Sequence, residues 1–225
     1  GFDVSWLNKQ DLEKIGLNAL AALESKTAAV IDPFKLAGDL LYYCQQNGMQ
    51  VFDRTNIISI SNQKGRCIAQ TENKYTITAD HVIHCTGYES TETLNEKIVD
   101  LKSTYAIASE SIEEIPLCLK NAILWDTANP YFYYRATSDN RIIMGGGDEE
   151  FKDPKKRDNL LPKKEQLLLK QFQKKFPNSN FKLDYSWAGT FGETKDGLPY
   201  FGKPNAKKNE HYILGFGGNG ITFSV

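Results

Sequence analysis

The feature that most constrains this chain lies near its carboxy end, in "HYILGFGGNGITFSV". His211 to Leu214 form a short β-type run that enters Gly215-Phe216-Gly217-Gly218-Asn219-Gly220. Glycines spaced G-x-G-x-x-G after a strand let a backbone turn tightly and approach a pyrophosphate at a helix start. A dinucleotide site of that kind also needs a following helix and, about twenty residues on, an acidic side chain for a ribose. Only five residues follow Gly220. A nicotinamide-binding oxidoreductase built on this hexapeptide would lack its downstream βα unit. The glycines therefore call for another partner, or serve a plain strand-to-helix connection.

Upstream, "DPFKLAGDLLYYCQQNG" predicts a helix. Asp32 can accept the free amides of its first turn, and Pro33 suits the first helical position. Ala37, Leu40, Leu41 and Cys44 share one apolar face, and Gly48 can end the helix in a left-handed conformation. Strands are predicted at Met49 to Asp53, at Arg66 to Thr71 after an Asn62–Gly65 turn, and at Tyr75 to Thr78. His81 to Cys85 is a buried apolar strand running into "CTGYES". A helix, then strands, then a strand ending in a glycine turn is α/β grammar. From Ser103 the texture changes. "STYAIAS", "AILWD", "YFYYRA" and "RIIMGG" are short, aromatic and β-branched, and turn clusters separate them, as in an antiparallel sheet. "LPKKEQLLLKQFQKKF" predicts a second helix with Leu168, Phe172 and Phe176 one turn apart and its lysines on a solvated face. "FKLDYSWAG" is a further strand. The fold class expected is α/β (α+β), one domain interrupted by another. Residues 1–26 and 91–187 form the mostly antiparallel β domain with helices, and 27–90 with 188–225 form the α/β domain.

Lys plus Arg is 27 against 28 for Asp plus Glu. That balance gives no electrostatic case for nucleic acid or an anionic membrane. No apolar run approaches the roughly twenty residues of a membrane span, and no signal peptide is evident. Cys44, Cys67, Cys85 and Cys118 form no C-x-x-C pair and are expected as buried free thiols of a cytoplasmic protein. His81, His84 and His211 lie in strand-like segments without metal-ligand spacing, so no metal site is expected. The chain has no initiator Met and begins in mid-pattern, as a piece of a longer protein would.

Three stretches together resemble FAD-dependent amine and amino-acid oxidoreductases, the group of glycine oxidase, sarcosine oxidase, D-amino-acid oxidase and gamma-glutamylputrescine oxidase. "ADHVIHCTGYES" is similar to the strand and glycine turn closing their nucleotide-binding domain. "YFYYRATSDNRIIMGGGDEEF" is similar to their paired substrate-domain strands. "WAGTFGETKDGLPYFGK…YILGFGGNGITFS" is similar to their flavin segment. The resemblance runs from the "IDPFKLAGDL" helix onward. It implies that the phosphate-binding glycines belong to an amino-terminal segment missing here, so the α/β part is an incomplete, Rossmann-like FAD-binding domain and the β part is a substrate domain. The terminal "GFGGNGI" then corresponds to a turn whose helix start faces the flavin ring, where amides and the positive helix end favour negative charge.

The resemblance implies oxidation of an amine C–N bond, with hydride passing to flavin and hydrolysis of the resulting imine. It places Gly217, Gly218, Asn219, Gly220 and Ile221 along the flavin's pyrimidine side and Gly87 near its adenosine half. Phe191 and Gly218 stand where the glycine oxidase branch has carboxylate-gripping arginines. Thr222 stands where the sarcosine oxidase branch has a lysine, and Gly189 where it has the flavin-bonded cysteine, so FAD is expected to be held non-covalently. "YYRATSDNR" is nearest the gamma-glutamylputrescine oxidase branch and hints at a polyamine-like or modified amine. Tyr131, Tyr133 and Arg135 are the substrate candidates: a guanidinium can fork onto a carboxylate, and tyrosines can cage a cationic amine. The tyrosines can equally be strand aromatics packing across a sheet, and Arg135 a hairpin salt-bridge residue. Arg141 is expected to be structural, Asp196 to serve its turn, and Trp187 to lie in the core. No residue is assigned as catalytic acid or base. The competing expectation is a non-catalytic binding module that keeps the fold without a cofactor; lacking the phosphate loop, these residues alone should hold FAD poorly.

Overall fold

The computed structural model describes residues 3–94, 96–120, 122–204 and 208–224. In chain order the elements begin with β1 (Val4–Asn8), α1 (Lys9–Lys14), β2 (Ala21–Ser25), α2 (Pro33–Gln46), β3 (Ile57–Gln63), β4 (Arg66–Thr71), β5 (Thr76–Ala79) and β6 (Val82–His84). They continue with β7 (Asp100–Ser109), β8 (Ile123–Trp125), β9 (Phe132–Ala136), β10 (Ile142–Glu150), α3 (Pro154–Asn159), α4 (Leu161–Lys175) and β11 (Leu183–Glu193). The last are β12 (Tyr200–Gly202), β13 (Glu210–Leu214) and α5 (Gly220–Ser224). Contacts divide the chain into two compact units, Gly1–Val30 with Lys102–Thr190 and Ile31–Leu101 with Phe191–Val225. No helix among the described residues is long and apolar enough to cross a membrane.

The first unit is built on a five-stranded sheet in the order β11-β7-β10-β9-β8. The β7–β10, β10–β9 and β9–β8 pairs are antiparallel, as the alternating aromatic segments predict. Register pairs Met144 with both Ile107 and Tyr134. These side chains share the face that is closed by Leu168, Phe172 and Phe176, all essentially inaccessible. The aromatic contacts are close: Tyr134 meets Phe176 edge-on at 5.5 Å between centroids, and Phe172 lies 4.8 Å from Phe181. The helix lysines do not all point outward. Lys164 is 6% exposed. Its ammonium donates to the Gly147 carbonyl at 2.6 Å, pairs with Glu149 at 2.7 Å and lies over the Tyr105 ring at 5.0 Å. A lysine can be buried here because a carbonyl, a carboxylate and a ring face meet its charge.

The second unit holds two three-stranded sheets. One is the antiparallel β3-β4-β5 meander, whose first hairpin turns at Lys64 (φ 48°) and Gly65 (φ 79°). Positive φ at both central residues is the turn that matches strand twist. The other sheet runs β12-β13-β6, with β13 parallel to β6 and antiparallel to β12. Val99, Tyr212 and Leu214 form its small core, with Leu94, Ile98 and Leu101 packed against it. Helix α2 starts as expected: Asp32 Oδ1 accepts from the Phe34 and Lys35 amides at 3.0 and 3.1 Å, and Gly48 takes φ 93°. Its apolar stripe is nevertheless exposed, with Leu40 at 53%. Capping and propensity form this helix, not burial in its unit.

Three further expectations need correction. Met49 to Asp53 is not a strand; the strand preceding the hairpin is β3, whose polar "SISNQ" hides its alternation. The cysteines are all free, but only Cys67 is buried; Cys44 and Cys118 are half-buried and Cys85 is exposed. Burial pushes the Cys118 thiol up to about 11, so it stays protonated at neutral pH. Trp187 is 43% exposed and lies outside the core, because strand alternation places its ring on the uncovered side of β11. Truncating Phe172 to Ala should destabilise the first unit by about 3–5 kcal/mol in urea denaturation; a loss under about 1 kcal/mol would mean that α4 does not close the sheet.

Candidate functional site

The predicted site residues fall in both units. In the second unit, parallel pairing aligns Glu210 with Val82, His211 with Ile83 and Tyr212 with His84. The loops leaving β6 and β13 therefore start from the same, carboxyl edge of the sheet, where ligands approach open α/β sheets. The first loop begins a 3-10 turn at Gly87, which has φ 59°. Thr86 and Ser90 hydroxyls share a 2.8 Å hydrogen bond beneath it. The second loop passes Gly215 (φ 78°) and Gly217 (φ 55°), forms a 3-10 turn over Gly217–Asn219 and enters α5 at Gly220. Gly218, Asn219 and Ile221 are exposed.

The glycines of this loop have different reasons. A Cβ on Gly215 would stand 2.6 Å from Thr194 Cγ2, so both its conformation and its packing demand glycine. A Cβ on Gly217 would meet only the Gly192 carbonyl oxygen at 3.8 Å, and one on Gly87 nothing within 4 Å. At these two positions the backbone is left-handed and open on the side where a side chain would project. A flat ring or a ribose can come close there, and the first amides of α5 lack partners inside the helix. The residues thus fit a flavin nucleotide.

The histidines of this unit are occupied otherwise. His84 stacks on Tyr212 at 4.2 Å and its Nε2 lies 3.4 Å from Glu210 Oε2. His211 Nε2 is 3.3 Å from His81 Nδ1. Burial, then the Lys203 charge and His81, hold His211 below the ordinary imidazole range. Among the described residues no group of three or more His, Cys, Asp or Glu could hold a metal ion. Asp196 accepts from the Leu198 amide at 3.1 Å, the local turn bond expected of it.

In the first unit, Phe132 and Tyr134 point into the core, so Tyr133 and Arg135 alternate onto the opposite face of β9. Tyr131 precedes the strand, 42% exposed, with its ring 6.4 Å from that of Tyr133. Tyr133 pairs in register with Gly145 of β10 and Trp125 of β8. Its phenol is pushed up to about 12, first by burial, then by the Asp148 and Tyr131 charges, while a hydrogen bond with Thr104 pulls it down. Arg141 is bound into the hairpin by Asp139 at 3.0 Å, by Asp184 and by the Ser109 carbonyl at 2.9 Å, a structural role. The groups around Tyr133 that the sequence did not single out are Thr104, Gly145 and Asp148. The "GGGD" run opposite "YFYY" in the hairpin register carries that signal.

The family model for FAD dependent oxidoreductases matches residues 1–225. The chain belongs to that family. Gamma-glutamylputrescine oxidoreductase of Escherichia coli (strain K12) is 28% identical over 233 residues, covering 96% of this chain and 52% of the relative. A probable oxidoreductase of Haemophilus influenzae is 23% identical and covered over 44% of its length. The chain thus spans about half the length of these curated relatives. Among solved structures, L-proline dehydrogenase from P. horikoshii matches with TM-score 0.83 at 18% identity, and glycine oxidase from Geobacillus kaustophilus with 0.77 at 20%. Each covers all of this chain, which covers 62% and 60% of theirs. An L-alpha-glycerophosphate oxidase from Mycoplasma pneumoniae, with FAD bound, matches at TM-score 0.80. These likenesses establish the fold, and the last is a reminder that the fold hosts more than amine chemistry.

Gly215→Ala should lower the denaturation midpoint more than Gly217→Ala, since both pay left-handed strain of about 1 kcal/mol but only Gly215 meets Thr194. Equal losses would contradict the packing difference. Tyr133 makes a second expectation. Its folded value, about 12, lies above the ordinary 10.0. The unfolded chain therefore loses this proton first. The stabilising contribution is complete below pH 10 and is lost as pH rises through about 12, which alkaline denaturation of wild type against Tyr133→Phe measures.

Proposed function

We propose that this chain supplies the flavin-ring turn and the substrate face of an enzyme that oxidises the C–N bond of an amine or amino-acid-like molecule. The observation that carries this reading is the pair of left-handed, open glycines, Gly87 and Gly217, at the carboxyl ends of parallel β6 and β13. Bound FAD would supply a hydride acceptor for the carbon beside nitrogen, and water would then split the imine into a carbonyl compound and an amine or ammonia. Gly217 to Ile221 would hold the pyrimidine side of the ring, where the amides at the start of α5 would favour negative charge. Gly87 accommodates the adenosine half. Attachment is non-covalent, since Gly189 offers no thiol.

Tyr131 and Tyr133 wall the substrate with aromatic surface suited to an amine, and Arg135 supplies a guanidinium for a carboxylate. Phe191 and Gly218 carry no cation, so a small amino acid gripped by two arginines is not the substrate favoured here. The similarity to the E. coli gamma-glutamylputrescine oxidoreductase favours an amine on a longer, polyamine-like chain.

The visible absorption spectrum tests this reading. The 225-residue chain, and the same chain fused to the part of the E. coli relative that the match leaves uncovered, are mixed with FAD and desalted. Flavin bands retained by the fusion, and reduced at least tenfold in occupancy by Gly217→Val, are the expected result. Retention by neither form would overturn the enzyme reading in favour of a cofactor-free binding module. Bleaching of the retained bands by a diamine but not by glycine would fix the substrate class.

A further inference from the structure

We propose that Gly145 is a positioning residue, which lets Tyr133 lie across the sheet as a neutral hydrogen-bonding wall of the substrate face. The proposal rests on the reading of Tyr133 as a substrate contact. Its geometry stands without that reading.

Gly145 sits in β10 between Tyr133 of β9 and Ala106 of β7. A Cβ placed on Gly145 would fall inside the van der Waals envelope of Tyr133 Oη and Cζ and 2.9 Å from Cε2. The ring therefore lies directly over the Gly145 Cα. It reaches from β9 across β10 towards β7. The three consecutive glycines differ in their reasons. Gly146 (φ 122°) and Gly147 (φ 66°) have left-handed backbone and belong to the irregularity where the β7–β10 register shifts between Gly146 and Glu149. Gly145 has no such φ and pairs regularly on both sides, so no backbone demand requires glycine there. Space for the Tyr133 ring is the demand that remains.

The neighbouring backbone is anchored. The buried Lys164 ammonium holds the Gly147 carbonyl at 2.6 Å and Glu149 at 2.7 Å, tying β10 to α4 beside the crossing point. The position of the ring is thus set by the space that Gly145 leaves beneath it. Buried this way, the phenol remains protonated at neutral pH. It can accept from or donate to a substrate amine but cannot serve there as a general base. The role assigned is orientation of the amine, not proton abstraction.

Carbon-13 NMR of the full chain labelled at tyrosine Cζ tests the arrangement, with Tyr133→Phe identifying the resonance. In wild type that resonance should titrate near 12. In Gly145→Ala the displaced ring should titrate closer to the ordinary value of about 10. Stability supplies an independent check. Gly145→Ala should lower the denaturation midpoint in the Tyr133 background and have little effect beside Tyr133→Ala, where the ring is gone. If the single variant does not fold, folding of the double variant upholds the proposal. An unmoved resonance, or equal losses in both backgrounds, would overturn it. In the flavin-loaded fusion, Gly145→Ala should raise KM for the amine about tenfold or more with a smaller change in kcat. A shifted resonance with unchanged KM would uphold the positioning of the ring and remove Tyr133 from the substrate site. A fusion that retains no flavin would instead overturn the enzyme reading and leave the NMR result standing.

Discussion

Packing of Leu168, Phe172 and Phe176 against Tyr134, Met144 and Ile107 closes one face of the five-stranded sheet. Much of the first unit follows from that contact. Side chains alternate along each strand, so burying one face dictates which residues appear on the other. A slip of one residue in β9 would turn Tyr133 and Arg135 towards α4 and turn Phe132 and Tyr134 away from it. Burying large aromatics is worth several kcal/mol each, which makes such a slip costly. The candidate substrate face is in this sense the reverse side of the core.

Glycine serves three distinct physical purposes in this molecule. At Gly145 it provides room for a neighbouring ring. At Gly87 and Gly217 it provides left-handed backbone with an open side. At Gly215 it provides both conformation and clearance from Thr194. Of the left-handed glycines with open space, Gly87 and Gly217 are the two that follow the carboxyl ends of the parallel strands β6 and β13. The terminal glycine hexapeptide is thus part architecture, through Gly215, and part candidate ligand surface, through Gly217.

Much of the fold could be read from the chain in advance. Asp32, Pro33 and Gly48 announced α2, and Leu168, Phe172 and Phe176 announced the buried side of α4. The aromatic, β-branched runs announced an antiparallel sheet. The failures share a cause. Met49 to Asp53 looks apolar enough for a strand but finds no ladder, whereas "SISNQ" looks polar and pairs along β3. Strand formation depends on a partner, and partners are not local in sequence. Lys164 and Trp187 were misjudged for the same reason: one lysine is inward because Gly147 and Glu149 await it, and one tryptophan is outward because nothing covers its side of β11.

The residues by themselves determined the helix caps and the strand alternation, local properties carried by backbone preference and side-chain period. The family resemblance of three ordered motifs is what pointed to Tyr131, Tyr133, Arg135 and the terminal glycines as candidates. Tertiary structure alone decided which glycine answers to which demand, that the Gly87 and Gly217 turns share one sheet edge, and that the Tyr133 ring lies across Gly145 of β10. Those outcomes depend on which atoms meet across strands far apart in the chain. Packing at close range, not composition, sets them.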